Sequence, residues 1–266
     1  MKLCSRKKSR QSSAQRRQKE NLLLQEERQY LLQPSSDFFV REAYKTLRTN
    51  VSFSLTGDEH SKVILVTSSQ QSEGKSITAV NLAISYAQTD QKVIILDCDL
   101  RRPKLSRLMQ VFASAGLSNL LMNASLKDVA IVHTEIPNLD MISAGDIPPN
   151  PSELLGSPRM LRLLEELKEE YDIIVLDTPP VNMVIDAVVL APNTDGALFV
   201  VRANQSERGS VIHAVEQLEY ANAKILGFAL NGVDLENTNY GYGKARYKHY
   251  YHYYGYRSRI RKSEVV

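Results

Sequence analysis

The 266-residue sequence has few of the features that mark membrane, secreted or metal-binding proteins. No apolar stretch approaches the length of about eighteen residues that suggests a membrane-spanning helix, and no signal-peptide pattern opens the chain. The two cysteines, Cys4 and Cys98, are too few for a disulfide framework and lack zinc-ligand spacing. We therefore expect a cytoplasmic protein with reduced thiols that reaches a membrane only through a partner.

A large excess of charge is also missing, since the formal net charge is +3. This value is modest for a nucleic-acid-binding protein, and the central part of the chain carries no recognition motif. The charge is uneven, because residues 1–19 hold eight basic side chains and no acidic one. By composition this segment is a disordered basic arm. It suits anionic lipid headgroups, nucleic acid, or no dedicated ligand at all.

What the sequence does have is an alternation of apolar, strand-like runs with helical stretches. The predicted strands are 62–67, 92–97, 139–143, 172–177, 196–202 and 224–231, and the predicted helices include 76–89, 157–170 and 207–222. This order predicts an α/β fold with a mainly parallel sheet flanked by helices. We expect three regions: a basic, partly disordered extension over 1–35, a folded α/β domain over 36–233, and a flexible tail over 234–266.

The strand at residues 62–67 leads into a predicted phosphate-binding loop. Backbone N–H groups where a strand turns into a helix favour a bound polyphosphate. Lys75 is expected to reach the β- and γ-phosphates, and the Ser76 hydroxyl to ligate Mg²⁺. The pattern G-x-x-x-x-G-K-[ST] is incomplete, because Ser69 stands at its first glycine. The predicted ligands are ATP and Mg²⁺, and the predicted nucleotide-binding residues are Ser72, Glu73, Gly74, Lys75, Ser76 and Ile77.

Aspartates follow two further predicted strands. Asp97 and Asp99 end one strand and Asp177 ends another, and ligands of open parallel sheets bind at such carboxyl ends. Neighbouring carboxylates repel each other unless a cation lies between them, which suits a magnesium–nucleotide site. We therefore predict Ser76, Asp99 and Asp177 as metal-site residues, and Lys75, Asp97, Asp99 and Asp177 as catalytic residues.

The C-terminal end is rich in tyrosine. Eight of the thirteen tyrosines fall within seventeen positions: Tyr240, Tyr242, Tyr247, Tyr250, Tyr251, Tyr253, Tyr254 and Tyr256. No helical or strand period organises them, and glycines and basic residues separate them. Three interpretations compete: a sticky low-complexity tail, a stacking platform for single-stranded nucleic acid, and a set of phosphorylation sites. The presence of an ATP site favours the third.

The motifs over about residues 36–256 resemble those of the bacterial tyrosine kinases of capsular and exopolysaccharide gene clusters, in the form made as a separate cytoplasmic subunit. The resemblance rests on the segments 42–50, 72–76, 97–103, 148–155 and 177–180 and on the tyrosine cluster. It implies a deviant-Walker, MinD/ParA-like P-loop fold. It also implies an ATP-dependent protein-tyrosine kinase that phosphorylates its own tyrosine cluster and regulates polysaccharide synthesis and export.

The resemblance further implies roles and partners. Lys75 and Ser76 match the family's phosphate and magnesium residues, Asp97 and Asp99 its second Walker-type motif, and Asp177 its Walker B aspartate. Asp97 is the candidate base for the tyrosine proton. The implied partners are a membrane-embedded activator, or polysaccharide co-polymerase subunit, at the inner face of the membrane, a cognate tyrosine phosphatase, and further copies of the chain in a ring.

Two departures from the family pattern affect these expectations. The family usually has Pro-Gly where this chain has Gln71-Ser72, so the loop loses one rigid and one permissive residue. Family rings form partly through a Glu-x-x-Arg-x-x-Arg helix face, matched here by Glu42, Lys45 and Arg48. Because lysine cannot make the two-pronged contact of arginine, we expect an oligomer whose strength stays open.

Two other functions stay open at this point. A positioning or partitioning ATPase of the deviant-Walker type shares the sheet, but it carries a second lysine where this chain has Gln70, and it lacks a tyrosine-rich tail. A nucleic-acid-binding protein would use the basic arm and the aromatic tail as its working surfaces. Release of ADP without phosphotyrosine would favour the first, and salt-dependent binding to single strands the second.

Overall fold

The computed structural model describes residues 25–55 and 61–233, and its centre is a seven-stranded sheet with the order β3-β4-β2-β5-β1-β6-β7. The strands are β1 (Lys62–Ser68), β2 (Val93–Asp97), β3 (Ile131–His133), β4 (Leu139–Ile142), β5 (Ile173–Asp177), β6 (Gly196–Arg202) and β7 (Ile225–Asn231). Six of them are parallel, and β3 is antiparallel to β4 at one edge. The predicted α/β, mainly parallel sheet is confirmed.

Helices connect and cover these strands. They are α1 (Phe38–Ser54), α2 (Lys75–Ala87), α3 (Leu105–Met109), α4 (Leu117–Met122), α5 (Lys127–Ala130), α6 (Pro151–Leu155), α7 (Pro158–Lys168), α8 (Asp186–Leu190) and α9 (Arg208–Tyr220), with 3₁₀ turns at Ala124–Leu126 and Ala191–Asn193. None of the helices among the described residues has the length and apolar character needed to cross a membrane.

The central strands are apolar on both sides because helices cover both faces of the sheet. Successive side chains of β1 alternate between two core layers: Leu65 joins one, and Ile64 and Val66 join the other. All three side chains are fully buried. With both faces occupied, polar groups can approach the centre of the sheet only at the strand ends, and this places the candidate site at the carboxyl edge.

All six predicted strands are present, with ends that differ from the prediction by at most one residue. The sequence analysis missed β3, Ile131–His133, because three residues are too few for an alternating pattern to stand out. The predicted helices appear as α2, α7 and α9, which end two residues earlier than expected. Such differences at helix ends are ordinary fraying of the last turn.

The described part of the predicted N-terminal extension is attached to the sheet domain. The buried side chain of Asn81, on α2, accepts a hydrogen bond from the Leu32 N–H and donates one to the Tyr30 carbonyl, both at 2.8 Å. Residues 30–32 are therefore fixed against the helix that begins at the phosphate-binding loop. The basic arm of residues 1–19 and the tyrosine cluster lie outside the described residues.

Candidate active site

The predicted phosphate-binding loop lies between β1 and α2. Gly74 precedes the first helical residue with a φ of +94°, a left-handed conformation that favours glycine. A Cβ at this position would lie 1.8 Å from the Asn231 side-chain nitrogen, at the end of β7. Conformation and space both require glycine here, so the loop backbone lies directly against the end of the last strand.

Lys75 is the first residue of α2, and its ammonium group lies between two carboxylates. Its Nζ is 3.4 Å from Asp99 Oδ2 and 3.4 Å from Asp177 Oδ1. Burial alone lowers the pKa of Lys75, but attraction to Asp177 and Asp99 outweighs that effect, and the pKa is raised. The lysine is therefore a fixed positive charge at the loop. It lies in direct contact with two of the predicted site carboxylates, Asp99 and Asp177.

Asp97 ends β2 and is completely buried. One carboxylate oxygen accepts hydrogen bonds from the backbone N–H groups of Lys104 and Leu105, at 3.0 and 2.9 Å, and the other from that of Asp99, at 3.2 Å. Burial, together with the nearby charge of Asp177, raises the pKa of Asp97 to about 7, although the backbone bonds oppose this shift. A carboxyl group with this pKa can exchange a proton near neutral pH.

Asp177 ends β5 and pairs in the parallel register with Asp97 on the neighbouring strand. Burial raises the pKa of Asp177, against the lowering effect of Lys75. Its Oδ1 meets Lys75, whereas Oδ2 is buried without a hydrogen-bond partner. Buried carboxylate oxygens rarely lack a partner, so this oxygen is suited to an incoming water or cation.

The donors at this edge fit a magnesium ion of the P-loop kind. Across the described residues, no three acidic, histidine or cysteine side chains are arranged to hold a metal among themselves. In P-loop proteins Mg²⁺ needs only a hydroxyl and a carboxylate, because phosphate oxygens and water complete its shell. Ser76, with its hydroxyl 3.3 Å from the Lys75 ammonium, and the open oxygen of Asp177 meet that need.

The other predicted nucleotide-binding residues contribute in different ways. Ser72 has a φ of +64°, and its carbonyl accepts a hydrogen bond of 3.1 Å from Arg202. The Glu73 carboxylate is buried and bonded to other protein groups, and Ile77 packs against the core. The structure thus brings together the side chains of Lys75, Ser76, Asp97, Asp99 and Asp177. The side chains of Glu73 and Ile77 point elsewhere, into contacts within the protein.

The sequence analysis missed an ion pair that holds the loop after β2. The Arg101 guanidinium donates two hydrogen bonds to the buried carboxylate of Asp186, at the start of α8, with lengths of 2.9 and 3.0 Å. One residue on, the Arg102 N–H donates to Asp99 Oδ1 at 3.0 Å. The hydrogen bond from Arg102 orients Asp99, and the ion pair of Arg101 holds the adjoining loop. No local pattern connects Arg101 with a partner 85 positions away.

The predicted oligomer residues lie on α1, away from the strand ends. Glu42 and Lys45 form an exposed ion pair of 2.8 Å within the helix. Arg48 instead donates a hydrogen bond of 2.5 Å to the Ser85 carbonyl at the other end of α2. In this chain the three residues do not form a uniform charged face, so their role in an oligomer stays a prediction.

Comparisons with known proteins agree with this geometry. The family model of the AAA domain matches residues 61–226. Tyrosine-protein kinase YwqD of Bacillus subtilis (strain 168) is 37% identical over 202 residues, which cover 76% of this chain and 85% of that protein. The chain is also similar to the cell division ATPase MinD of Pyrococcus furiosus, with a TM-score of 0.55 and 26% identity over 64% of this chain and 71% of that one. This similarity supports the MinD-like fold class.

A tyrosine kinase domain of known structure is also similar. The kinase domain of Escherichia coli tyrosine kinase ETK has a TM-score of 0.71 and 35% identity, over 75% of this chain and 78% of that one. The resemblance found in the sequence motifs and the expectation of an ATP-dependent protein-tyrosine kinase are both confirmed by these relatives. Because these relatives are at least 35% identical and match along most of their length, the chain belongs to the family of bacterial tyrosine-protein kinases.

Proposed function

We propose that this protein transfers the γ-phosphoryl group of ATP to tyrosines of its own C-terminal cluster, with a neighbouring copy as acceptor, and so regulates capsular or exopolysaccharide synthesis and export. The observation that carries the proposal is the Lys75 ammonium, held 3.4 Å from both Asp99 and Asp177 at the carboxyl edge of the sheet. A positive charge set among carboxylates suits a nucleotide whose negative phosphates and metal arrive together.

The chain's own groups supply binding and orientation. The N–H groups that open α2 and the Lys75 ammonium would bind the phosphates. Ser76, Asp99 and Asp177 would hold Mg²⁺ directly or through water. When bound, the metal neutralises charge on the β- and γ-phosphate oxygens. Asp177 Oδ2, which is buried without a hydrogen-bond partner, would be available to hold the metal or one of its waters.

Asp97 would accept the proton of the tyrosine hydroxyl. A free tyrosine titrates near pH 10, so transfer to a carboxylate with a pKa of about 7 is unfavourable by about 4 kcal/mol. The proton therefore leaves late, as the new oxygen–phosphorus bond removes electron density from the phenol oxygen. A loose, metaphosphate-like transition state needs alignment more than a strong base, and the three backbone N–H groups fix Asp97 for that purpose.

The test is incubation of the purified full chain with ATP, with and without Mg²⁺, and with and without a peptide from the cytoplasmic end of a membrane-embedded activator. Phosphotyrosine is then mapped by mass spectrometry. We expect modification within residues 240–256 that requires Mg²⁺ and increases with the activator. Lys75→Met and Asp97→Ala should abolish it or reduce it severely. Assembled protein that releases ADP while its tyrosines stay unmodified would contradict the proposal.

One observation weighs against the competing partitioning ATPase. Such enzymes place a second lysine where this chain has Gln70. The Gln70 side chain donates a hydrogen bond of 2.9 Å to the Ser210 hydroxyl on α9. Glutamine carries no positive charge for a phosphate, so this position serves the packing of the loop.

We also propose that the chain works as a ring-shaped oligomer recruited to the inner face of the membrane by its activator, and that a phosphatase reverses the modification. Residues 240–266 hold seven basic side chains and one acidic side chain. Each phosphate adds a charge of about −1.5 to −2, so extensive modification reverses the sign of the tail. This change should loosen an assembly whose contacts include the tail.

Native mass spectrometry of ATP-treated and phosphatase-treated protein tests the assembly. We expect the phosphatase-treated form to be the larger species. Lys45→Arg should strengthen the oligomer, because arginine restores the two-pronged contact. Equal size in both treatments, together with no effect of Lys45→Arg, would contradict this model of regulation.

A further inference from the structure

The phosphate-binding loop contains a buried carboxylate that the proposed transfer does not use. Glu73 is 1% exposed, although it lies beside the place where a strongly negative nucleotide would bind. Its carboxylate is saturated by donors of the protein: the Ser69 hydroxyl at 2.8 and 3.0 Å, the Gln70 N–H at 2.7 Å, and the Ser206 hydroxyl. Because those donors face the negative charge, the Glu73 side chain points into the protein.

We infer that Glu73 is a positioning residue, which joins Ser69 and Ser206 into a brace that holds the loop in the shape that binds ATP. The inference rests on the proposed function for its ligand. The brace spans two elements, since Ser69 follows β1 whereas Ser206 lies 133 positions from Glu73, between β6 and α9. Ser206 in turn accepts the Arg202 N–H at 2.8 Å, so the brace ends on the backbone of β6.

The brace accounts for the departure of this loop from the usual pattern. Glycine at the first position of G-x-x-x-x-G-K-[ST] leaves the chain free to turn, whereas Ser69 brings a hydroxyl that must be satisfied where it is fully buried. The Glu73 carboxylate accepts that hydroxyl and closes the loop on itself from position 69 to position 73. Serine at the first position and glutamate at the fifth thus act as a pair.

Two further contacts hold the same stretch from the same side. Arg202 binds the Ser72 carbonyl at 3.1 Å, and the Asn231 amide donates to the Glu73 carbonyl at 3.0 Å. With these carbonyls directed toward β6 and β7, the N–H groups at the start of α2 remain available to phosphate oxygens. The contact of Arg202 with the Ser72 carbonyl and that of Ser206 with the Glu73 carboxylate each involve a charged group, so we expect both to be stronger than a neutral hydrogen bond.

The test compares three variants: Glu73→Gln, Ser206→Ala and the double variant. For each, the affinity for Mg-ATP and the steady-state kinetics of tyrosine phosphorylation are measured. In Glu73→Gln the new NH₂ group would face the Ser69, Gln70 and Ser206 groups that donate to the carboxylate in the unmodified chain. We therefore expect this variant to bind ATP about tenfold more weakly, a loss of about 1.4 kcal/mol. The KM for ATP should rise while kcat falls less, because a misplaced loop affects ground and transition states alike. Ser206→Ala should weaken binding less, and the double variant should bind like Glu73→Gln, since the groups act as a unit.

Asp195→Asn is the matched control, because Asp195 is a partly buried carboxylate that accepts the Val63 N–H at 2.7 Å at the opposite end of β1. It should lower the melting temperature without changing ATP affinity by more than about twofold, since it lies outside the site. The inference is overturned if Glu73→Gln and Ser206→Ala bind ATP like the unmodified chain, or lose no more affinity than Asp195→Asn. An unmodified chain that fails to bind Mg-ATP would instead overturn the proposed function.

Discussion

Aspartates occur at both edges of the same parallel sheet, and the two edges use them in different ways. At the amino ends, Asp172 and Asp195 each accept a backbone N–H from a neighbouring strand segment, those of Lys92 and Val63, at 2.7 Å. At the carboxyl ends, Asp97 and Asp177 lie side by side, completely buried, with raised pKa values. The amino edge uses its aspartates to bind the backbone of neighbouring segments, whereas the carboxyl edge places two buried carboxylates side by side and leaves Asp177 Oδ2 without a hydrogen-bond partner.

The difference shows where this sheet is stabilised and where it does chemistry. A hydrogen bond from a backbone N–H to a charged acceptor contributes about 1.5–3 kcal/mol, so the amino-end aspartates hold strand segments together. The carboxyl-end pair costs stability, because burial and mutual repulsion both disfavour the ionised forms. Such a cost is typical of active sites, where groups are arranged for a ligand that is not yet bound.

The largest expected effect separates the lysines of the two edges. Lys75→Met removes the charge that faces Asp99 and Asp177, and we expect the rate of tyrosine phosphorylation to fall by at least about 100-fold. Lys62→Met removes the lysine 3.9 Å from Asp195 at the amino edge and should leave the rate within about threefold, as expected for a weak ion pair distant from the chemistry. Radiolabel transfer from ATP measures both. Similar losses in the two variants would remove the distinction between the edges.

The second prediction concerns pH. Only the ionised form of Asp97 can accept the tyrosine proton, so kcat/KM should rise as pH increases through about 7 and then level off. The same measurement in kcat reports the pKa of Asp97 in the complex with bound substrate. Initial rates between pH 5.5 and 8.5 test this. A flat profile in both parameters would exclude Asp97 as the base.

That these residues lie together at the carboxyl edge could be read from the sequence because their positions are set locally. Lys75 and Ser76 directly follow Gly74, and Asp97 and Asp177 end uninterrupted apolar strands, so strand order alone brings them together. The partners of these groups could not be read in the same way. Arg101 binds Asp186 and Glu73 binds Ser206 across 85 and 133 positions. Only the folded chain determines such pairs, because neither member has a spacing that marks the other.

The third prediction compares stability at the two edges. The pKa of Asp97 is about 3.9 in the unfolded chain and about 7 in the folded protein. Between these two pH values the folded protein therefore binds more protons than the unfolded chain. Stability contributed by this group is therefore present at low pH and lost as pH rises through about 7. At pH 8 without nucleotide, Asp97→Asn should stabilise the fold by up to about 4 kcal/mol, less whatever its backbone hydrogen bonds lose.

Asp195→Asn should act in the opposite direction. It weakens the hydrogen bond to the Val63 N–H, so we expect a loss of about 1–3 kcal/mol at pH 8. Urea unfolding at pH 5 and pH 8 measures both variants, and the gain of Asp97→Asn should shrink at the lower pH. Destabilisation of the same size in both variants at pH 8 would mean that the buried carboxylate of Asp97 does not lower the free energy of unfolding.

The smallest expected effect concerns backbone strain. Ser72 adopts a left-handed conformation at φ +64° in the phosphate-binding loop, whereas the similar φ of +59° after α9 belongs to Asn222, a residue type that tolerates it better. Ser72→Gly relieves about 1–2 kcal/mol of backbone strain in the folded state. It also lowers stability by about 0.5–1 kcal/mol, because glycine gives the unfolded chain more conformational freedom. The net gain is about 0.5 kcal/mol, a rise of about 1–2 °C in melting temperature. Asn222→Gly should give no gain, because asparagine has little strain to relieve, and an equal gain in both variants would show that strain is not concentrated at the active edge.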